Sequence, residues 1–164
     1  MKTTRIRLLA AVLVFFAAGP MFAAEDLIKI EAGIVPRRLS RGQEGKVVLK
    51  VGLKKGIVIS ALPAFTIEFE GNEDLVFPKS FFTGSDLTLT RVEIGGKECL
   101  DLQAPIEIPF TVGPKARRGV YVLRGRVKYF AFDLLNGWCL KSSTPFSTAY
   151  STWAVPIKIG PQPD

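Results

Sequence analysis

From residue 25 onward, apolar and polar positions alternate with a period of two, the signature of half-buried strands rather than helices. Ile28, Ile30, Ala32 and Ile34 alternate with Lys29, Glu31 and Gly33, and Val47, Leu49, Val51 and Leu53 alternate with Lys46, Val48, Lys50 and Gly52. The rhythm returns in Phe65, Ile67 and Phe69, over residues 87–94, and in Ile106, Ile108, Phe110 and Val112. A longer run over residues 120–132 sets Tyr121, Leu123, Val127, Tyr129 and Ala131 on one face, and Trp153, Val155, Ile157 and Ile159 form the last. Turn dipeptides separate the runs, among them Arg41-Gly42, Lys55-Gly56, Gly95-Gly96, Gly113-Pro114 and Asn136-Gly137.

About seven strands result, each with one apolar face that a single sheet leaves uncovered, so a second sheet must stack on the first. The pattern predicts an all-β fold, an immunoglobulin-like antiparallel β-sandwich, with an open barrel as the second choice. Trp153 falls on the apolar face of the last strand and is expected in the core. Pro109 and Pro156 each lack a ladder donor, which places them at sheet edges or bulges.

The first 24 residues read differently. Lys2, Arg5 and Arg7 precede an unbroken apolar run from Leu8 to Ala18, followed by Gly19-Pro20 and by Ala23-Ala24. This is the pattern of a secretory signal peptide, and the run is too short to cross a bilayer comfortably. Residues 1–24 are thus expected to be a signal peptide, residues 25–160 the folded domain and residues 161–164 a disordered tail. The expected location is the periplasm of a bacterium, with membrane contact only through an uncleaved signal.

The chain carries a formal net charge of +7, of which removal of residues 1–24 leaves +4. Its basic groups cluster at Arg37-Arg38 with Arg41, at Lys54-Lys55, at Lys115 with Arg117-Arg118, and at Arg124, Arg126 and Lys128. None of these clusters has the interleaved stacking aromatics of single-strand binders, so nucleic acid is not an expected partner. The chain has no histidine. A Ser-His-Asp triad, a Cys-His pair or a Cys/His zinc site cannot be built from it, and neither a metal nor a cofactor is expected.

The most informative segment runs from Tyr129 to Leu140 and on to Pro145-Phe146. Alternation turns Arg124, Arg126 and Lys128 outward, and the same parity turns Phe130 and Phe132 outward. A sixteen-residue connection, residues 133–148, is then expected to carry Trp138 and Cys139 before the last strand. Long connections on a rigid sandwich are where binding surfaces tend to sit. Phe130, Phe132 and Trp138 can form either a small satellite core under that loop or an exposed aromatic patch for a partner protein.

This segment resembles the N-terminal periplasmic domain of the thiol:disulfide interchange protein DsbD, the disulfide bond corrector family. The resemblance extends over Gly56-Ile57-Val58-Ile59-Ser60, the strand from Pro63 to Phe69, Ile108-Pro109-Phe110-Thr111-Val112, and Tyr129 to Pro145. In that family two cysteines on an immunoglobulin-like scaffold form a redox-active disulfide, shielded by a short cap loop, that passes electrons from a membrane-embedded partner to periplasmic substrates. By the resemblance Cys139 matches the second cysteine, Tyr129 the leading aromatic and Pro145 the trailing proline. The first cysteine should stand at Phe132, and it does not. One sulfur cannot cycle alone, because the mixed disulfide formed in exchange needs a resolving thiolate.

Cys99, in Gly95-Gly96-Lys97-Glu98-Cys99, is the other thiol. A Cys99–Cys139 bridge would close a loop of about 40 residues, a chain-entropy gain of roughly 4 kcal/mol. The other open arrangements are a buried Cys99 with an exposed Cys139, and an intermolecular disulfide through Cys139. The expected function is protein–protein contact in envelope thiol-redox chemistry or protein maturation through Tyr129, Phe130, Phe132 and Trp138. The partner would be a periplasmic or membrane-embedded redox or maturation protein, and Cys139 the remnant of a degenerate exchange centre. A working thiol-disulfide carrier using Cys139 with Cys99 or a partner thiol, and an adhesion or chaperone-like sandwich that binds a client strand, are the alternatives.

Overall fold

The computed structural model describes residues 27–63 and 65–153. Twelve strands follow one another: β1 (Ile28–Val35), β2 (Arg38–Ser40), β3 (Glu44–Leu53), β4 (Ile57–Ile59), β5 (Thr66–Phe69), β6 (Leu75–Val76), β7 (Phe81–Thr83), β8 (Arg91–Ile94), β9 (Lys97–Leu100), β10 (Ile106–Val112), β11 (Gly119–Asp133) and β12 (Trp138–Trp153). One sheet has the order β1-β3-β10-β6, a second has β2-β12-β11-β5-β7 with β4 also paired to β11, and β8 and β9 form a separate two-stranded sheet. Pairing is antiparallel except between β2 and β12. The chain therefore starts in the first sheet as β1 and crosses to the second as β2. The fold is an all-β, immunoglobulin-like antiparallel sandwich.

Strand alternation builds the core as the sequence implies. In β10 Ile106, Ile108, Phe110 and Val112 are buried while Glu107, Pro109 and Thr111 are exposed. In β11 Leu123, Val127, Tyr129 and Ala131 point inward. Burying side chains of this size stabilises the fold by about 1.5–3 kcal/mol each. Two cross-strand pairs set a glycine opposite a phenylalanine: Gly45 faces Phe110, and Gly125 faces Phe146. A β-carbon on Gly125 would lie 2.4 Å from Phe146 Cζ, and one on Gly45 would lie 2.6 Å from Phe110 Cζ. Each ring thus lies over the bare backbone opposite it. Phe69 then packs edge-on to Phe146 and flat against Phe77, with ring centroids at 5.9 and 4.1 Å.

Three sequence-based expectations change. Residues 133–148 are not a long connection, because β11 and β12 form one hairpin in register from Gly119↔Thr152 to Asp133↔Trp138. Trp153 is 42% exposed rather than core: Tyr150 and Thr152 take the inward positions of β12, so the odd-numbered residues face out. Within residues 87–94 the strand begins only at Arg91, and Leu87 and Leu89 pack against the core from a turn.

Hydrogen-bond parity shows which strand margins are open. Ser151 N donates outward to Arg37 O, so the odd-numbered residues of β12 direct their backbone groups away from β11. Among the described residues β2 pairs with that margin only from Ser151 to Trp153, β1 lies close to β12 without pairing to it, and Pro145 lies on the unpaired part. In β10 Val112 N donates to Gln43 O, next to β3, so Pro109 directs its nitrogen to the opposite side, where β6 pairs only with Thr111 and Val112. The edge expectation for Pro109 is met. Pro156, the signal segment and the tail lie outside the described residues.

Candidate functional site

The far end of the β11–β12 hairpin gathers the residues singled out by sequence. Asp133 sets the turn: its backbone carbonyl accepts from Gly137 N at 2.8 Å. Its carboxylate accepts from Leu135 N at 2.8 Å, Asn136 N at 3.0 Å and Asn136 Nδ2 at 2.7 Å. The bonds from Asn136 lead in holding this carboxyl below the usual range for aspartate. Gly137 turns with φ of 73°, in the left-handed region that favours glycine. Two other turns meet this one. Leu134 N donates to Gly56 O at 2.9 Å, Leu135 covers Gly56, and Leu134 lies against Gly95.

Phe132 and Cys139 are register partners across the hairpin. Ser60 N donates to Phe130 O on the β4 side, and by alternation the backbone of Phe132 also points to β4 rather than to β12. Phe132 and Cys139 therefore form a non-hydrogen-bonded pair, the kind in which facing side chains come closest. Val58 stands opposite Phe132 on its other side. The β8–β9 hairpin adds a lid: Lys97 Nζ sits 4.3 Å from the centroid of the Phe132 ring. Phe130 and Phe132 are consequently half-buried rather than fully exposed.

The remaining site residues divide. Tyr129 is 1% exposed, its hydroxyl 3.0 Å from Thr144 Oγ1, so it belongs to the core and does not meet a partner. Trp138 is 36% exposed and Leu140 is exposed, on the opposite face of the hairpin from Cys139. Leu134 and Leu135 complete an apolar tip that sequence reasoning missed, with Leu135 70% exposed. The signal was available, since two leucines inside an Asp-Leu-Leu-Asn-Gly turn have no core to enter.

Both thiols are free: Cys139 is exposed and Cys99 buried. No Cys99–Cys139 bridge forms. Cys99 is held within β9, opposite Val92 and bridged to Ser60. Burial raises its pKa and keeps it a poor nucleophile. Among the described residues no group of histidine, cysteine, aspartate and glutamate side chains is arranged to hold a metal ion.

Neither a family model nor a curated protein matches the sequence. Among solved structures the chain is similar to the cohesin module of a family 33 glycoside hydrolase from Clostridium perfringens, at 10% identity and a TM-score of 0.40, covering 78% of this chain and 96% of that one. It is also similar to a conjugate transposon protein from Bacteroides vulgatus, at 8% identity and a TM-score of 0.29, covering 73% and 82%.

Proposed function

We propose that this chain is an exported contact module, related to the N-terminal domain of DsbD, whose exchange centre is reduced to the single thiol of Cys139. The observation that carries the reading is the pairing of Cys139 with Phe132, the position at which the resemblance expects the first cysteine. Two sulfurs there would be in bridging distance. With a phenylalanine in one place, what is left is a lone exposed thiol on one face of the hairpin end, with Leu134 and Leu135 at its turn and Trp138 and Leu140 on the other face. Such a surface suits gripping a periplasmic or membrane-embedded redox or maturation protein, since buried aromatic anchors supply much of the energy of interfaces. The reading needs no cofactor and no autonomous catalysis.

Oxidised glutathione tests the chemistry. The Cys139 thiolate should displace one glutathione thiolate and keep the other half as a mixed disulfide, with Cys99 unmodified and no internal bridge. A Cys99–Cys139 disulfide that cycles in the oxidoreductase range would overturn the reading in favour of a carrier. For the contact, photocrosslinking from position 135 in an exporting bacterium should capture an envelope redox or maturation protein. Trp138→Ala should weaken that capture with little change in melting temperature; unchanged capture with a large fall in melting temperature would return the tip to a packing role.

A further inference from the structure

The opposite end of the hairpin carries a second surface. Fifteen residues of β11 separate the two ends, a span of roughly 45 Å. Here β2, the loop before β11 and the end of β12 converge. Ser40 is in register with Trp153, and Thr152 Oγ1 bonds to Arg117 O, as does Tyr121 OH at 3.1 Å. Arg41 Nε donates to Ala116 O at 2.7 Å. Exposed Trp153 is covered by two guanidinium groups, Arg118 at 4.8 Å and Arg38 at 5.3 Å from the ring. Arg37, Lys115 and Arg117 lie in the same segments and are exposed.

None of these six basic side chains joins an ion pair among the described residues, where the acidic partners serve Lys29, Lys46, Lys79, Arg91 and Lys128 instead. Arg37 and Arg117 are tied to the fold through their carbonyls, which leaves their side chains available. A guanidinium held over an indole still has N–H donors to offer, and its fork of donors matches a carboxylate in a bidentate pair.

We infer that this end docks a glutamate- and aspartate-rich segment of a partner protein, with Arg38 and Arg118 as paired carboxylate forks fixed by Trp153. The two cations count against nucleic acid: an indole with two guanidinium groups over it is not free to stack on a base. An acidic chain needs only the N–H donors.

The test uses the full chain with Trp138→Phe, so that emission reports Trp153. Titration with a short peptide of alternating glutamate and glycine should give a saturable, salt-sensitive change in emission, and the glutamine counterpart none. Combined Arg38→Ser and Arg118→Ser should weaken binding about tenfold or more, measured by calorimetry with folding checked by circular dichroism. Arg37→Ser with Arg117→Ser, which spares both stacked groups, should weaken it less. The inference is overturned by absent or salt-insensitive binding, by equal binding of the glutamine peptide or of the Arg38/Arg118 variant, or by tighter binding to phosphatidylglycerol vesicles or to a single-stranded oligonucleotide.

Discussion

Phe132 faces Cys139 across β11 and β12 at a position where the two backbones exchange no hydrogen bonds. The facing side chains at such a position have the backbone separation that a disulfide spans. A single substitution should therefore create a dithiol there.

Phe132→Cys is expected to form an internal bridge with Cys139 under mild oxidation. Closing so short a loop contributes roughly 2–3 kcal/mol by chain entropy, offset by loss of a half-buried ring and its contact with Lys97. Thiol counting with and without reductant checks it: two accessible thiols fewer than in the reduced variant is the expected result, since the bridge consumes both. Two titratable surface thiols after oxidation would contradict the assigned register.

Gly125→Ala should destabilise the domain by about 1–3 kcal/mol, the usual cost of overpacking. Its β-carbon would meet Phe146 Cζ at 2.4 Å and the backbone oxygen of Glu68 at 2.7 Å, and the latter cannot rotate away. Thermal or denaturant unfolding measures it. Pairing Gly125→Ala with Phe146→Leu should recover only part of the loss, because the carbonyl of Glu68 stays in place.

Acid should loosen the hairpin tip. The carboxyl of Asp133 titrates below its ordinary value because the folded turn prefers it ionised. Its contribution is fully present above the ordinary carboxylate pKa of about 4. It is lost as the pH falls through the lower, folded value. Emission from Trp138 in a Trp153→Phe background should report this opening locally. Asp86, held at about 2 by Lys79 and Thr83 in a different loop, would not move that reporter. Asp133→Ala should already show the loosened signal at neutral pH and little further change in acid.

Much of this architecture is legible in the sequence because strand parity is a strict rule. The inward set of β11, the outward turn of Phe130 and Phe132, and the open side of Pro109 all follow from counting by two. The start of β12 does not. Ser142-Ser143-Thr144-Pro145 has the composition of a loop, and it is a strand here because its outer margin is unpaired and its outer face solvated, where hydroxyls and a proline cost little. Trp153 shares that ambiguity, since a bulky aromatic at a strand end reads as core. Two arginines supply the cover that a second sheet otherwise would. The apolar tip is local to one turn and was legible, whereas the arginine-clad tryptophan is a tertiary product that joins β2, the loop before β11 and the end of β12.

Pro145 and Pro109 each turn a nitrogen without hydrogen toward an open strand margin. A neighbouring molecule that tried to extend either sheet would find a donor missing midway along the ladder, and fibril-like stacking would stall there. The two prolines thus oppose pairing of these strand margins with a neighbouring molecule, and they leave side chains at the two ends of the hairpin, rather than backbone, as the contact surfaces proposed above.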